Sequence, residues 1–581
     1  MRSSRLKLSG LILVLVALAS GGASADEDKT LLRAREGAAA LMRGQYDKAI
    51  AAYDDALSAP DIADFIEASI YSDRGVAKWG LKQTKEAIED FNKSIQLAPD
   101  NATVYNNRGN ALMDLGHPDE AVKDFDRAIA LSPNYGAAHN NRGNAHAALG
   151  QYEPAFQDFR KAVELMPTSA VPFNGRGKAH SELKRYHAAV RDLTRAITLN
   201  PKYAAAYDNR AQAYLAIGMY KEASDDATQA ITLQPDQPNA DLLLLRGRAY
   251  AGDKKFNPAV DDLNKVIELK PEVADAYIER GMVFAQTRRF DDAIGDLTRA
   301  IEIDPKNVKA YAMRASARLQ AEANDDALSD VNAALEIASN DPLALRVRGN
   351  VYEALTRNDE AIADYNAALA QDPFQTESRE ALQRLGQEVP PEEGQPLGPP
   401  VSGWVIKEPE SGRYIASNPK YASLRVELEM FGSGKPKIVE WKVMKDALSG
   451  IGLLQYYAGD FGEGQDTSLE YVAIVDIRAN KVLSVEPHSW GPAAAQWNWQ
   501  AVSVVVTDPD GNANEVQLRK ARRTAPAAPT DFWGFEQPRA ADNSAGGGGS
   551  TGGRRAARRG GGDSGGGGGG GGGGMFGWLF R

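Results

Sequence analysis

The chain has no cysteine among its 581 residues. That excludes disulfides, thiolate metal sites, a thiol nucleophile and a lipid anchor on cysteine. Histidine is scarce too: the six residues, at 117, 139, 146, 180, 187 and 488, form no HExxH pair. No Ser stands in a GxSxG setting, and no glycine-rich loop runs into Lys-Ser or Lys-Thr. Neither a nucleophile elbow nor a phosphate loop is therefore supported. The expectation is a protein that is not an enzyme, with no cofactor and no metal; His488 near Glu486 is the one acid–base candidate.

Long apolar runs are missing as well, with one exception near the start. Arg2, Arg5 and Lys7 precede the stretch Leu11 to Ala19, and Ala23-Ser24-Ala25 follows as a small-residue cleavage pattern. Residues 1–25 read as a secretory signal peptide cleaved before Asp26, since the apolar stretch is short for a membrane span. An export signal on a cysteine-free, Ala-rich chain suggests a bacterial envelope protein, periplasmic or secreted. Positive charge is in deficit, the net being -11 at pH 7. Such a body repels nucleic acid and anionic lipid. Basic residues gather only late, at Arg519, Lys520, Arg522 and Arg523 and, within glycine, at Arg554, Arg555, Arg558 and Arg559. A tail of this kind suits an acidic contact, but the export signal opposes a nucleic-acid partner.

What is present is a period. Arg followed by Gly or Ala occurs at 74, 108, 142, 176, 210, 246, 280, 314 and 348, with an interval of 34 residues every time but one. Sixteen residues after each Arg stands an Asp, at 90, 124, 158, 192, 226, 262, 296, 330 and 364. Apolar residues frame each Asp at helical spacing, as in Ala121, Phe125, Ala128, and a Pro closes each copy, as at Pro133 or Pro167. Each copy thus reads as two amphipathic helices that bury their apolar faces only against neighbours. An earlier copy can be aligned through Gly37, Ala49, Tyr53 and Ala56, but it carries Glu36 and Ala52 where the others carry Arg and Asp. Because both members are missing together, the Arg and Asp are expected to pair inside a repeat: Arg108 with Asp124, Arg142 with Asp158, Arg176 with Asp192, and so on.

Ordered as Gly, Ala twelve residues later, an aromatic or Leu, Ala and then Pro, these copies resemble the tetratricopeptide repeat over residues 31–373. The resemblance implies an α-solenoid of about ten helix pairs winding as a right-handed superhelix. It also implies that one arc of the first helices lines a concave groove for a peptide or partner protein. At 100° per residue that arc collects Asn106, Asn107 and Asn110, then Asn140, Asn141 and Asn144, then Asn174 and Asn209. An Asn amide both donates and accepts, which suits an extended peptide backbone of any sequence. Farther along, Leu244, Leu245, Ile278 and Met282 fall on the same arc and suggest a change from polar to apolar. The Lys residues of the family's clamp for terminal carboxylates are absent: Ser72, Asn106, Asn140 and Asn174 stand there.

The solenoid with its capping helix is expected over 26–386 and a Pro-rich linker over 387–401. Beyond it the period switches to two, in Leu424, Val426, Leu428, Met430, in Val439, Trp441, Val443 and in Tyr471, Ala473, Val475, Ile477. A small, mainly antiparallel β domain is expected over 402–523. It holds five of the eight Trp: Trp404, Trp441, Trp490, Trp497 and Trp499. They belong either to its core or to a surface that stacks on envelope glycan, the alternative function. Residues 524–581 read as a disordered Gly/Arg-rich tail whose apolar tip, Met575 to Arg581, suits a docking peptide or a contact with a membrane surface.

Overall fold

The computed structural model describes residues 25–518, apart from 61, 236–238, 374, 390–399 and, toward the C-terminus, 411–412, 422–423, 432–434, 445–447, 449, 461–467, 491–492, 501–502 and 509–512. The signal peptide, most of the linker, the basic stretch from Arg519 and the glycine-rich tail lie outside the described residues. The described residues divide into two compact bodies, parted between Leu115 and Gly116.

In the first body α1 (Ala25–Met42) and α2 (Tyr46–Leu57) form one hairpin and α3 (Asp64–Gly80) and α4 (Thr84–Leu97) the next, with α5 (Ala102–Asp114) at its end. The second body opens with α6 (Pro118–Leu131). Then follow the pairs α7 (Gly136–Ala148) and α8 (Tyr152–Leu165), α9 (Ala170–Glu182) and α10 (Tyr186–Leu199), and α11 (Ala204–Ala216) and α12 (Tyr220–Thr232). Four more continue the array: α13 (Ala240–Gly252) and α14 (Phe256–Leu269), α15 (Ala274–Gln286) and α16 (Phe290–Ile303), α17 (Val308–Gln320) and α18 (Asn324–Ile337), and α19 (Pro342–Ala354) and α20 (Asn358–Gln371). Odd-numbered helices are the first of each repeat and even-numbered ones the second. The last pair is covered by α21 (Thr376–Arg384), whose Ala381 and Leu382 are buried against Tyr365 and Leu369.

Two devices hold a hairpin together. Between its helices one residue takes the left-handed conformation, with φ from 57° to 78°, at Gly44, Lys82, Gly116, Gly150, Lys184, Gly218, Lys254, Arg288, Glu322 and Thr356. Glycine adopts this conformation freely, whereas the six others hold it at a steric cost. Across the hairpin the Gly after each Arg leaves room for a large residue after each Asp. A Cβ at Gly75 would lie 2.7 Å from the Phe91 ring, one at Gly177 2.7 Å from Leu193 and one at Gly349 2.6 Å from Tyr365. Where Ala replaces that Gly, at 211 and 315, the partner shrinks to Ala227 and Val331 in the same buried clusters.

The β-rich part folds as three antiparallel sheets. The first holds β1 (Val405–Glu410), β2 (Arg413–Ser417) and β3 (Arg425–Glu427) in that order. The second runs β4 (Lys437–Val443), β5 (Ile451–Asp460), β6 (Ser468–Asp476), β7 (Lys481–Trp490) and β8 (Ala493–Ala494). In the third, β10 (Ser503–Thr507) lies between β9 (Gln496–Trp499) and β11 (Ala513–Gln517). One apolar core joins Trp404, Ile406, Val426 and Leu428 from the first sheet side to Leu454, Tyr456, Tyr471 and Val485 from the second.

Several expectations change here. The register of β4 against β5 shifts between Ile438 and Glu440, so Ile438 and Trp441 pack toward the core while Val439 and Val443 are exposed. The simple alternation expected for Val439, Trp441 and Val443 is thereby broken. Trp404, Trp497 and Trp499 are buried, the last two stacked with ring centroids 5.8 Å apart, and Trp441 packs against the core. Stacking on glycan needs an open indole face, and these four are committed to packing. Leu245 and Ile278, expected on the open arc, are likewise buried between helices.

Candidate functional site

Arg–Asp pairs close inside their repeats at Arg74–Asp90, Arg142–Asp158, Arg176–Asp192, Arg210–Asp226, Arg246–Asp262, Arg280–Asp296, Arg314–Asp330 and Arg348–Asp364. Each is bidentate, Nε donating to Oδ2 and Nη2 to Oδ1 at 2.6–2.9 Å. The planar guanidinium matches a carboxylate in this way, and both groups are largely out of water. The hydrogen bonds from Arg142 and His139 hold the Asp158 carboxyl below its usual range, although burial pushes the other way. Asp226 shows the reverse balance: burial outweighs Arg210 and its carboxyl is raised.

Most of these arginines, and Arg108 with them, have a second hand that the sequence did not announce. Nη1 of Arg74 donates to Asp54, of Arg108 to Asn92, of Arg142 to Asp126, of Arg210 to Thr194, of Arg246 to Thr228, of Arg280 to Asn264, of Arg314 to Thr298 and of Arg348 to Asn332. Every acceptor lies on the second helix of the preceding repeat, so each Arg rivets two repeats. Position 160, which would serve Arg176, is itself Arg. Asp124 is buried.

The amides sit at graded depth on the first helices. Asn106, Asn140 and Asn141 are buried, Asn107, Asn110, Asn174 and Asn209 are half-buried, and Asn144 is exposed. Some bond to one another: Asn140 Nδ2 donates to Asn141 Oδ1 at 3.1 Å, and Asn209 Nδ2 to Asn174 Oδ1 at 3.0 Å, which ties α11 to α9. The row therefore also knits first helices together.

At the N-terminus of α10, the second helix of the fifth repeat, the β domain is docked. Ala188 of α10 is fully buried and shares the core of the β sheets. The buried Glu429 carboxylate accepts from the backbone N–H of His187 at 2.9 Å and of Ala188 at 3.4 Å. It thus supplies negative charge to a helix N-terminus whose own first turn has no acidic residue. Burial pushes the Glu429 carboxyl up to about 7 against these bonds and the charges of Arg191 and Arg185, and pushes His187 down to about 4 with help from Lys481. Arg185 lies between the rings of Phe156 and Phe431, 5.4 Å from each centroid, and the buried Arg191 faces the Tyr471 ring at 6.0 Å. Glu486, which sequence reasoning paired with His488, is fully buried, accepts from Ser484 and Asn514, and faces the charge of Arg191. That position gives it a structural part. Among the described residues no group of three or more His, Asp or Glu could hold a metal, and no helix is long and apolar enough to cross a membrane.

Comparison with known proteins agrees with the repeat architecture. The family described as tetratricopeptide repeat matches residues 106–170, 174–238, 239–308 and 312–376, and the description TPR repeat matches 80–116. No curated protein matches the chain. Among solved structures, YrrB, a TPR protein with an unusual peptide-binding site, is 25% identical over 32% of this chain and 95% of its own, with a TM-score of 0.28. A tetratricopeptide repeat protein from Parabacteroides merdae is 19% identical over 44% and 99%, with a TM-score of 0.36, and yeast Tom70 is 15% identical over 62% and 95%, with a TM-score of 0.32.

Proposed function

From the premise that the chain belongs to the tetratricopeptide repeat family, we propose that it is an exported scaffold that holds a peptide or partner protein along its first helices. The observation that carries this reading is the division of labour across the fifth repeat. The β domain engages the start of α10 through Glu429 and Ala188, while Asn174 on the first helix of that repeat is half-buried and Asn144 on the first helix of the repeat before it is exposed. Half-buried amides next to an exposed one suit a guest that brings its own backbone N–H and C=O groups, because each unmatched amide atom then gains a partner. The charged, apolar and small-residue pattern of residues 1–25 supports an envelope location, with the tail as a secondary tether.

Absence of cysteine makes the test clean. Asn144→Cys, labelled with a short photocrosslinker in the producing cells, should give one discrete protein adduct, whereas Lys123→Cys on α6 should give none. Equal labelling from both positions, or none from either, would remove the reading. Mature protein should begin at Asp26 by terminal sequencing; a chain still starting at Met1 would refute export by cleavage.

A further inference from the structure

The β domain does more than sit on α10. A continuous stack of rings crosses the contact: Phe156 of α8 on His180 of α9 at 4.5 Å, His180 edge-on to Phe431 at 5.9 Å, and Phe431 flat on Tyr471 at 4.0 Å. His180 and Asn174 are on the same helix, and so is Arg176, which is bonded to Asp192 next to the buried Arg191. Asn174 in turn accepts from Asn209 of α11. One helix, α9, is therefore held by the β domain at its C-terminal end and takes part in the amide row at its middle.

The fifth repeat is built for this contact. At the third position of the second helix the other repeats carry Lys48, Glu86, Glu120, Pro154, Glu222, Pro258, Asp292, Asp326 and Glu360, whereas α10 carries Ala188, after His187. An acidic residue there would repel Glu429 and would not fit a fully buried site. A small residue and an uncapped helix end are what a donated carboxylate and an apolar core require.

We propose that the β domain is a built-in clamp on the fifth repeat, whose docking fixes α9 and so couples the outer contact to the first-helix face around Asn174. Coupling is reciprocal by thermodynamic necessity: whatever shifts α9 from the amide side shifts the docking equilibrium, and the converse. This inference uses the amide face of the functional reading but needs no guest to be tested. Hydrogen exchange on the full chain reads both ends, at the amides of His187 and Ala188 and at those of Asn174 to Gly177. In Ala188→Glu, and more mildly in Glu429→Ala, both sets should exchange about tenfold faster or more, while α19 and α20 stay protected. Faster exchange at His187 and Ala188 alone would overturn the clamp. So would unchanged protection at those two amides in both variants, since the contact would then not depend on the residues assigned to it. Should α19 and α20 also open in Ala188→Glu, Glu429→Ala decides. Failure of the Asn144 crosslink would leave these results standing, so the two readings fail separately.

Discussion

Charge placement explains most of what single residues do here. Asp73 is buried in the first body, and burial pushes its carboxyl up to about 7, against the hydroxyl of Tyr53. A raised native pKa means that the favourable contribution is complete below the ordinary value of 3.8 and is lost as pH rises through 7. Asp73→Asn, which installs the residue found at 107, 141 and 209, should therefore raise stability at pH 8 by on the order of 2 kcal/mol. It should also abolish the decline between pH 4 and 7 in denaturant melts followed over that range. Arg176 and Asp192 make the second prediction. Asp192→Ala strands a buried guanidinium and should cost about 3 kcal/mol, while adding Arg176→Met should recover part of that loss. Additive losses in the double-mutant cycle would show that the bidentate bonds count for little.

Helices and strands were legible in unequal measure. The helix pairs and the intrarepeat Arg–Asp bonds follow from residues that recur at a spacing of 34, broken once. The second bond, from Nη1, was hidden because its acceptor varies among Asp54, Asn92, Thr194 and Asn264. What recurs there is the ability to accept, which a search for identical letters passes over. The left-handed turn was half visible, since Gly116 and Gly150 announce it and Lys184 or Thr356 do not. Depth along the amide arc was not readable from a helical wheel: Asn140 and Asn144 both lie beside Gly175 of α9, yet Asn140 is buried and Asn144, one turn on, is exposed. The docking face left a trace only as a departure from the repeat's own habit at His187 and Ala188. β4 misled because a bulge shifts its phase midway.

A pH prediction belongs to the contact between these elements. Glu429, raised to about 7, favours docking at low pH and opposes it as pH climbs through 7. His187, lowered to about 4, does the opposite: docking is unhindered above the ordinary 6.5 and weakens as pH falls from there toward 4. Between roughly pH 4.5 and 6.5 the two proton balances offset each other. Glu429→Gln should uncover the histidine, so that docking weakens by up to about tenfold per unit of acidification in that window. His180, lowered by burial and by Arg185, Arg176 and Arg191, adds to the fall. Protection of the His187 amide across a pH series, corrected for intrinsic exchange, measures it. A flat profile in the variant would contradict the assignment.

At the level of the whole molecule, the two kinds of architecture do not have equal independence. Repeats lean on their neighbours and need nothing from the β sheets for their own cores. The β domain, by contrast, completes its core with Ala188 and sets Glu429 and Glu486 against the N-terminus and Arg191 of α10. Residues 31–386 expressed alone should give a sharp cooperative melt. Residues 401–523 alone should lose near-ultraviolet dichroism and bind a hydrophobic dye, because Phe431 and Tyr471 are bared beside buried carboxylates that have lost their compensation. A fragment 401–523 with native dichroism would show that it is self-sufficient.

A solenoid ordinarily unravels from its free ends, since a terminal repeat has a neighbour on one side only. Here an interior repeat has a third neighbour, and the riveting through Arg210 to Thr194 ties the next repeat to that same second helix. Denaturation entering from α21 is thus expected to fray inward through the last repeats and halt where α10 is bolted to the sheets. The fifth repeat then serves as a keystone, leaving a half-molten chain whose middle keeps its native form.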